Sequence, residues 1–256
     1  MRRSIVLAAV AAMGLSSAAC MGAAVAPVTP DPASYAAVLA TPTRPAEDRA
    51  RDAARRTAET LAFAQVRPGQ RIADMIIGGG YFTRVFSAAV GPEGRVTAWQ
   101  PAEFIGFQAS YGEALTAVDA LPNVDGIRSP IGAPAFPTGL DLVFTAQNYH
   151  DLHLAPFPDD TASKVNVAVF RALKPGGLYV IVDHDAGAGS GLAAADTLHR
   201  IDIEAVKREV QAAGFVLEAQ SDLLANPADA RTANVFDSTI RGRTSQFMLR
   251  FRKPRR

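Results

Sequence analysis

This chain has a single cysteine, Cys20, in 256 residues. No internal disulfide can form, so the fold has to be held by packing and hydrogen bonding. Excess charge of either sign is missing as well. Lys and Arg number 26 against 25 Asp and Glu, which leaves a formal net charge of +1. That balance supplies no argument for nucleic acid or for an acidic partner. The basic tract Arg250 to Arg256 reads as a solvated tail. Histidine is scarce, with 4 in the chain, and tryptophan occurs once. No internal repeat is visible. Hydrophobic residues make up 48% of the chain, enough for a sizeable core.

The opening apolar run, Ile5 to Leu15, falls short of the roughly 20 residues that span a bilayer. It follows Arg2-Arg3 and runs into small residues through Ala19, so residues 1–19 read as a secretory signal peptide. Cys20 after Ser17-Ala18-Ala19 resembles a bacterial lipoprotein processing site, which implies a possible lipid anchor on that cysteine. Ser17 stands where such sites carry an apolar residue, and plain cleavage near Cys20 stays open beside acylation. Either route places the protein outside the cytosol, in the periplasm or on the outer membrane. Residues 20–45 are rich in Ala and Pro and read as a linker, with one short helix over Asp31 to Leu39. Residues 46–256 form the folded domain.

A helix is predicted from Ala46 to just before Pro68-Gly69. Asp48 with Arg51, and Asp52 with Arg56, stand at helical spacing, and its charges read as a solvated face. Strands and helices then alternate. Strands are expected at Arg71–Ile77, Arg95–Trp99, Gly126–Ser129, Leu140–Thr145 and Leu178–Val182. Helices are expected at Phe82–Val90, Glu103–Ala120, Thr161–Leu173 and Asp196–Ala213. Two further strands, Phe215–Ser221 and Gln246–Phe251, have no clear helix between them and suit an antiparallel edge pair. This order implies an α/β domain with a mostly parallel sheet and helices on both faces.

Two glycine clusters punctuate the alternation. Asp74-Met-Ile-Ile-Gly-Gly-Gly80 joins a strand to a helix, where a ligand can approach bare backbone. Leu173-Lys-Pro-Gly-Gly177 ends a helix and leads into a buried strand. With Leu140-Asp-Leu-Val-Phe144, these segments resemble the class I S-adenosylmethionine-dependent methyltransferases. Gly78-Gly-Gly-Tyr-Phe-Thr83, Asn148-Tyr-His-Asp-Leu152 and Asp183-His184 resemble more narrowly an exported subgroup of predicted methyltransferases. The resemblance spans about residues 46–252 and implies a Rossmann-like fold. It implies a seven-stranded sheet ordered 3-2-1-4-5-7-6, with strand 7 antiparallel. It implies S-adenosylmethionine as cofactor, held by Asp74, Gly78, Gly79, Gly80, Gln100 and Asn148. Two positions depart from the pattern. Ile76 replaces a glycine, and Gln100 replaces the Asp or Glu that binds the ribose hydroxyls.

Methyl transfer needs in-line alignment and, for many acceptors, removal of a proton. His150 and His184 follow neighbouring strands at the ligand-binding end of the sheet, so they are the expected bases, with Asp183 beside them. Tyr81, Tyr149 and Asp151 are placed against a small-molecule substrate. His153 and His199 read as structural. No recognised short metal-ligand spacing occurs, so no metal ligands are assigned, although a His/Asp cluster would suit hydrolytic chemistry. Trp99 suits either an adenine or the core. Gly187 to Gly191 suits either a lid or an ordinary connection, and Arg200 and Asp202 either the site or local pairs. An exported protein with a cytosolic cofactor is a physical conflict. A non-enzymatic periplasmic binding protein on a degenerate methyltransferase fold is therefore the rival reading.

Overall fold

The computed structural model describes residues 29–255; the signal segment and Cys20 lie outside them. A 3-10 turn Pro32–Tyr35 leads into α1 (Ala36–Leu39), followed by α2 (Ala46–Arg49) and α3 (Thr57–Phe63). The alternating part comprises β1 (Arg71–Met75), α4 (Tyr81–Val90), β2 (Arg95–Pro101), α5 (Ala102–Phe107), α6 (Ser110–Asp119) and β3 (Val124–Ser129). It continues with β4 (Leu140–Ala146), a 3-10 turn His150–His153, α7 (Thr161–Ala172) and β5 (Leu173–His184). The chain closes with α8 (Ala195–Leu198), α9 (Ile203–Ala212), β6 (Val216–Ser221) and β7 (Gln246–Arg252).

The strands form one seven-stranded sheet in the order β3-β2-β1-β4-β5-β7-β6. β7 is antiparallel to both β5 and β6, and the other pairings are parallel. This is the expected Rossmann-like order. The inner strands β1, β4 and β5 are buried on both faces, so they read as near-continuous apolar runs rather than alternating ones. One apolar cluster on each side of the sheet results. Trp99, Tyr149, Val165 and Phe247 belong to the first, and Leu61, Val85, Phe86 and Phe144 to the second.

Three expected helices are broken in the structure, and β5 starts at Leu173 rather than at the expected Leu178. The helix from Ala46 breaks after Arg49, runs through turns, and restarts at Thr57 with Arg56 in a left-handed conformation. Tertiary charge pairing overrides local propensity here. Asp52 takes a two-pronged contact from the buried Arg44 at 2.6 and 2.9 Å and a hydrogen bond from the Tyr81 hydroxyl, while Arg56 turns to Glu59. Asp48 is buried and its near partner is Arg84 at 2.6 Å, so this face is not simply solvated. The helix expected over Glu103–Ala120 is interrupted at Gln108, which is extended. The helix expected over Asp196–Ala213 is split by His199, also left-handed, before Asp202 caps α9 through Glu204 N–H at 2.9 Å.

Residues 31–39 pack on the domain: Tyr35 is buried and its hydroxyl donates to Val66 O at 2.6 Å. Among the described residues no helix is long and apolar enough to cross a membrane.

The first glycine cluster is the tightest turn. β1 ends at Met75, Ile76 takes a left-handed φ of 60°, and Gly78 and Gly80 follow at 53° and 76°. A Cβ on Gly80 would lie 2.6 Å from Val118 Cγ1, whereas one on Gly79 would meet nothing within 4 Å. Gly80→Ala is therefore expected to destabilise the fold by about 1–3 kcal/mol, and Gly79→Ala by less than about 0.5 kcal/mol. Urea denaturation of both variants measures the difference; equal stabilities would disprove this account of the turn.

Candidate active site

A cleft of about 410 Å³ opens at the C-terminal end of the parallel strands. Its floor is the loop after β1, with Asp74, Ile76, Gly78 and Gly79. The loops after β4 and β5 contribute Asn148, His150, Asp151 and His184. Phe104, Phe107 and Tyr111 from α5 and α6 form an aromatic rim. A second chamber of about 380 Å³ adjoins it, and His184, Gln147, Arg51 and Arg55 line both. Arg241 and Thr244 line the second chamber alone.

Of the residues expected at the site, Asp74, Gly78, Gly79, Tyr81, Asn148, His150, Asp151 and His184 do line the cleft. Four others do not. Gly80 packs against α6 through Val118. Gln100 is wholly buried behind the glycine loop, where its Oε1 accepts from Gly78 N–H at 3.0 Å and its Nε2 has no partner. Tyr149 turns into the core, because the 3-10 turn points it away from the cleft; its hydroxyl accepts from Asn166 Nδ2 at 2.8 Å and donates to Glu209 Oε2 at 2.9 Å. It therefore cannot contact a substrate in the cleft. Asp183 is fully buried behind His150 and acts through it.

The two histidines are in different electrostatic states. His150 Nδ1 lies 2.8 Å from Asp183 Oδ1, and its Nε2 lies 3.2 Å from Asp151 Oδ1. Burial alone would lower its pKa, but the two carboxylates outweigh it and raise the imidazole to about 10. Asp151 is correspondingly held below the usual carboxylate range. His184 has no such partner. Burial pushes it down to about 4, so it is neutral at physiological pH, and its Nδ1 is fixed 2.8 Å from Thr244 Oγ1. The rings stand 6.0 Å apart. Tyr81 presents its ring to the cleft while its hydroxyl is engaged by Asp52 and Thr57. Asn148 Nδ2 donates to Ile76 O at 2.9 Å and Ala146 O at 2.7 Å, clamping the β4 loop to the glycine turn.

The sequence reading missed Arg51, Arg55, the aromatic rim and His199. Arg55 makes no ion pair among the described residues; it sits 4.7 Å over the Tyr81 ring and reaches Gln147 Oε1 at 3.4 Å. Burial and the neighbouring Arg51 lower its pKa to about 10, a state that an incoming anion would relieve. The density of arginine over residues 49–56 was the available signal. His153 pairs with Glu209 at 3.1 Å, outside the cleft. Trp99 is a core residue bonded to Ser129 Oγ at 2.8 Å. The Gly187–Gly191 loop is tied down by Asp202, whose Oδ2 accepts from Gly189 and Gly191 N–H. Arg200 pairs with Asp229 in the interior.

No family model matches the chain, and no curated protein matches it. Solved structures do. The chain is similar to a SAM-dependent methyltransferase from Aquifex aeolicus, at 17% identity over 87% of this chain and 98% of that one, with a TM-score of 0.56. It is similar to the [4+2]-cyclase SpnF, at 16% identity over 79% and 81% of the two chains, also with a TM-score of 0.56. A putative sarcosine dimethylglycine methyltransferase from Galdieria sulphuraria aligns at 15% identity over 82% and 88%, with a TM-score of 0.54. At these identities the likeness establishes the class I methyltransferase fold, and the residues in the cleft have to supply the chemistry.

Asp74 is enclosed at the floor, where burial outweighs the hydrogen bond from Thr83 Oγ1 at 2.6 Å and raises its pKa to about 7. Its folded pKa lies above the unfolded value, so its contribution to stability is complete below about pH 4 and is lost as pH rises through about 7. Asp74→Asn should gain stability over the wild type between those pH values, at up to about 1.4 kcal/mol per unit, and hold that gain above pH 7. Paired denaturation curves at pH 4.5, 6 and 8 test this; a difference independent of pH would refute it.

Proposed function

We propose that this protein is an S-adenosylmethionine-dependent methyltransferase acting on a small molecule that carries an anionic group. The observation that supports it most is a two-chambered cleft at the strand C-termini in which His184 lines both chambers. One chamber suits the methyl donor and the other the acceptor, so the transfer would take place beside His184.

The residues present fit the donor at two of its three parts. A Cβ on Gly78 or Gly79 would meet nothing within 4 Å, so bare backbone faces the space where the amino-acid end would lie. Phe104, Phe107 and Tyr111 offer aromatic faces to the adenine. The ribose end is different: Gln100 is enclosed behind Gly78 and lends its hydrogen bond to the loop. Bound there, the donor supplies a methyl group already activated on a sulfonium. The chain itself has to align the acceptor and remove its proton. Arg55, Arg51 and Arg241 line the acceptor chamber and would hold an anionic group. His184 is neutral, fixed by Thr244, and would take the acceptor's proton there. His150, held as an imidazolium between Asp183 and Asp151, is suited to charge stabilisation rather than to the basic role expected for it.

The buried amide of Gln100 favours the second reading, a binding protein on this fold that takes another ligand without catalysis. Export and a lipid anchor at Cys20 belong with that reading, and the intact mass of the protein from its native host tests them.

Calorimetric titration separates the two functions. Methyl transfer requires saturable binding of S-adenosylmethionine, and Gly79→Val should abolish it without unfolding the chain. With an acceptor identified, His184→Asn should lower kcat by roughly 10²–10⁴ and leave donor affinity within about twofold. Failure of the wild type to bind the donor at millimolar concentration would reject the methyltransferase and leave the binding protein.

A further inference from the structure

His150, Asp151 and His199 each offer one ligand atom, and the three atoms lie within 4.8 Å of one another. Asp151 Oδ1 is the shared vertex, 3.2 Å from His150 Nε2 and 3.7 Å from His199 Nδ1. Ligand bonds of about 2.0–2.2 Å around a tetrahedral ion set neighbouring ligand atoms about 3.3–3.6 Å apart. The two edges at Asp151 bracket that spacing, and the third lies within 4.8 Å.

Three further features distinguish this cluster from a chance meeting of polar groups. His150 and Asp151 are buried, and all three residues line the donor chamber, so the remaining coordination positions would face the cavity. Asp183 stands behind His150, with Oδ1 2.8 Å from Nδ1 and Oδ2 accepting from the His150 N–H at 2.7 Å. Such a carboxylate behind a histidine fixes the ring and directs Nε2 outward, the arrangement found around metal-bound imidazoles. His199 reaches the cluster from a left-handed residue at the end of α8, its ring 4.9 Å from Phe236 and 5.4 Å from His150. An alternative backbone at this non-glycine position would cost less, so the fold holds the ring there against a local preference.

We propose that His150, Asp151 and His199 form a binding site for one divalent transition-metal ion of the zinc type. Two imidazoles and one carboxylate select such an ion over magnesium or calcium, which take oxygen ligands. With three protein ligands the ion keeps at least one position open to the cavity, where an oxygen or nitrogen of a small molecule can coordinate. Binding needs no S-adenosylmethionine, but it takes the Nε2 proton from His150, so a bound ion would replace the imidazolium given a charge-stabilising role in methyl transfer.

The test uses untagged protein stripped with a chelator and titrated with Co²⁺ and with Zn²⁺. One equivalent of Co²⁺ is expected to bind with visible d–d absorption bands, and Zn²⁺ to displace it and erase them. Asp151→Asn and His199→Gln should each weaken Zn²⁺ by at least tenfold, and Asp183→Asn by about 10–100-fold through loss of the support behind His150. His153→Gln, whose ring pairs with Glu209 outside the cluster, should leave affinity unchanged. Circular dichroism establishes that each variant is folded; for any that is not, extended X-ray absorption of the Zn²⁺-loaded wild type counts the imidazole ligands. No saturable binding at millimolar Co²⁺ or Zn²⁺ would overturn the proposal. So would affinity indifferent to Asp151→Asn and His199→Gln, or a first shell without two imidazoles.

Discussion

A single buried carboxylate holds the functional end of this sheet in place. Asp183 closes β5, has no exposure to solvent, and accepts from His150 N, His150 Nδ1 and His184 N at 2.7–2.8 Å. A buried carboxyl group is tolerated only when its oxygens are hydrogen-bonded. Completing them fixes the loop after β4 against the end of β5. His150 and His184 thus take their positions from a residue that never reaches the cleft. The same contact separates their electrostatics: His150 is pinned among carboxylates, while His184 is left to desolvation.

The glycine turn obeys a comparable constraint from the other side of the cleft. Ile76 keeps a left-handed conformation that suits glycine, yet its side chain is buried in the core beneath the sheet. A β-branched residue there costs on the order of 1–3 kcal/mol, which the surrounding contacts must offset. They are identifiable. Ile76 N–H donates to Trp99 O at 2.9 Å, Ile76 O accepts from Asn148, and Gly78 N–H is held by Gln100. Ile76 and Gln100 thus yield a loop braced from below by an amide, with its upper surface free.

The fold was legible because its signals are local. Apolar runs beside glycine located the inner strands β1, β2, β4 and β5, and the antiparallel edge pair followed from the missing helix before β7. Asp74, Gly78, His150 and His184 were legible because strand ends at one edge of such a sheet must share a cleft. What stayed hidden depends on distant partners. Residues 50–56 satisfy helical spacing, and only Arg44 and Tyr81, gathered on Asp52, reveal why the helix gives way there. Tyr149 and His150 are adjacent in sequence, yet the 3-10 turn sends one ring into the core and the other into the cleft. His199 lies inside a helical pattern, and its left-handed backbone is a property of the folded chain alone.

The wall that carries Arg51 and Arg55 is attached differently from the sheet it covers. Between residues 44 and 56 the buried side chains are Arg44 and Asp48, both polar; Arg44–Asp52 braces the segment internally, and its attachments include Asp48–Arg84, Tyr81–Asp52 and Arg55 over the Tyr81 and Phe82 rings. Detaching this segment would break charge pairs and uncover the rings of Tyr81 and Phe82, far less apolar surface than the two clusters of the sheet, so it would carry a smaller heat-capacity change than global unfolding. The two equilibria therefore diverge with temperature. On cooling, hydrophobic stabilisation of the sheet weakens more than the charge pairs of the wall, so the attachment of the wall and the stability of the scaffold would follow different temperature curves.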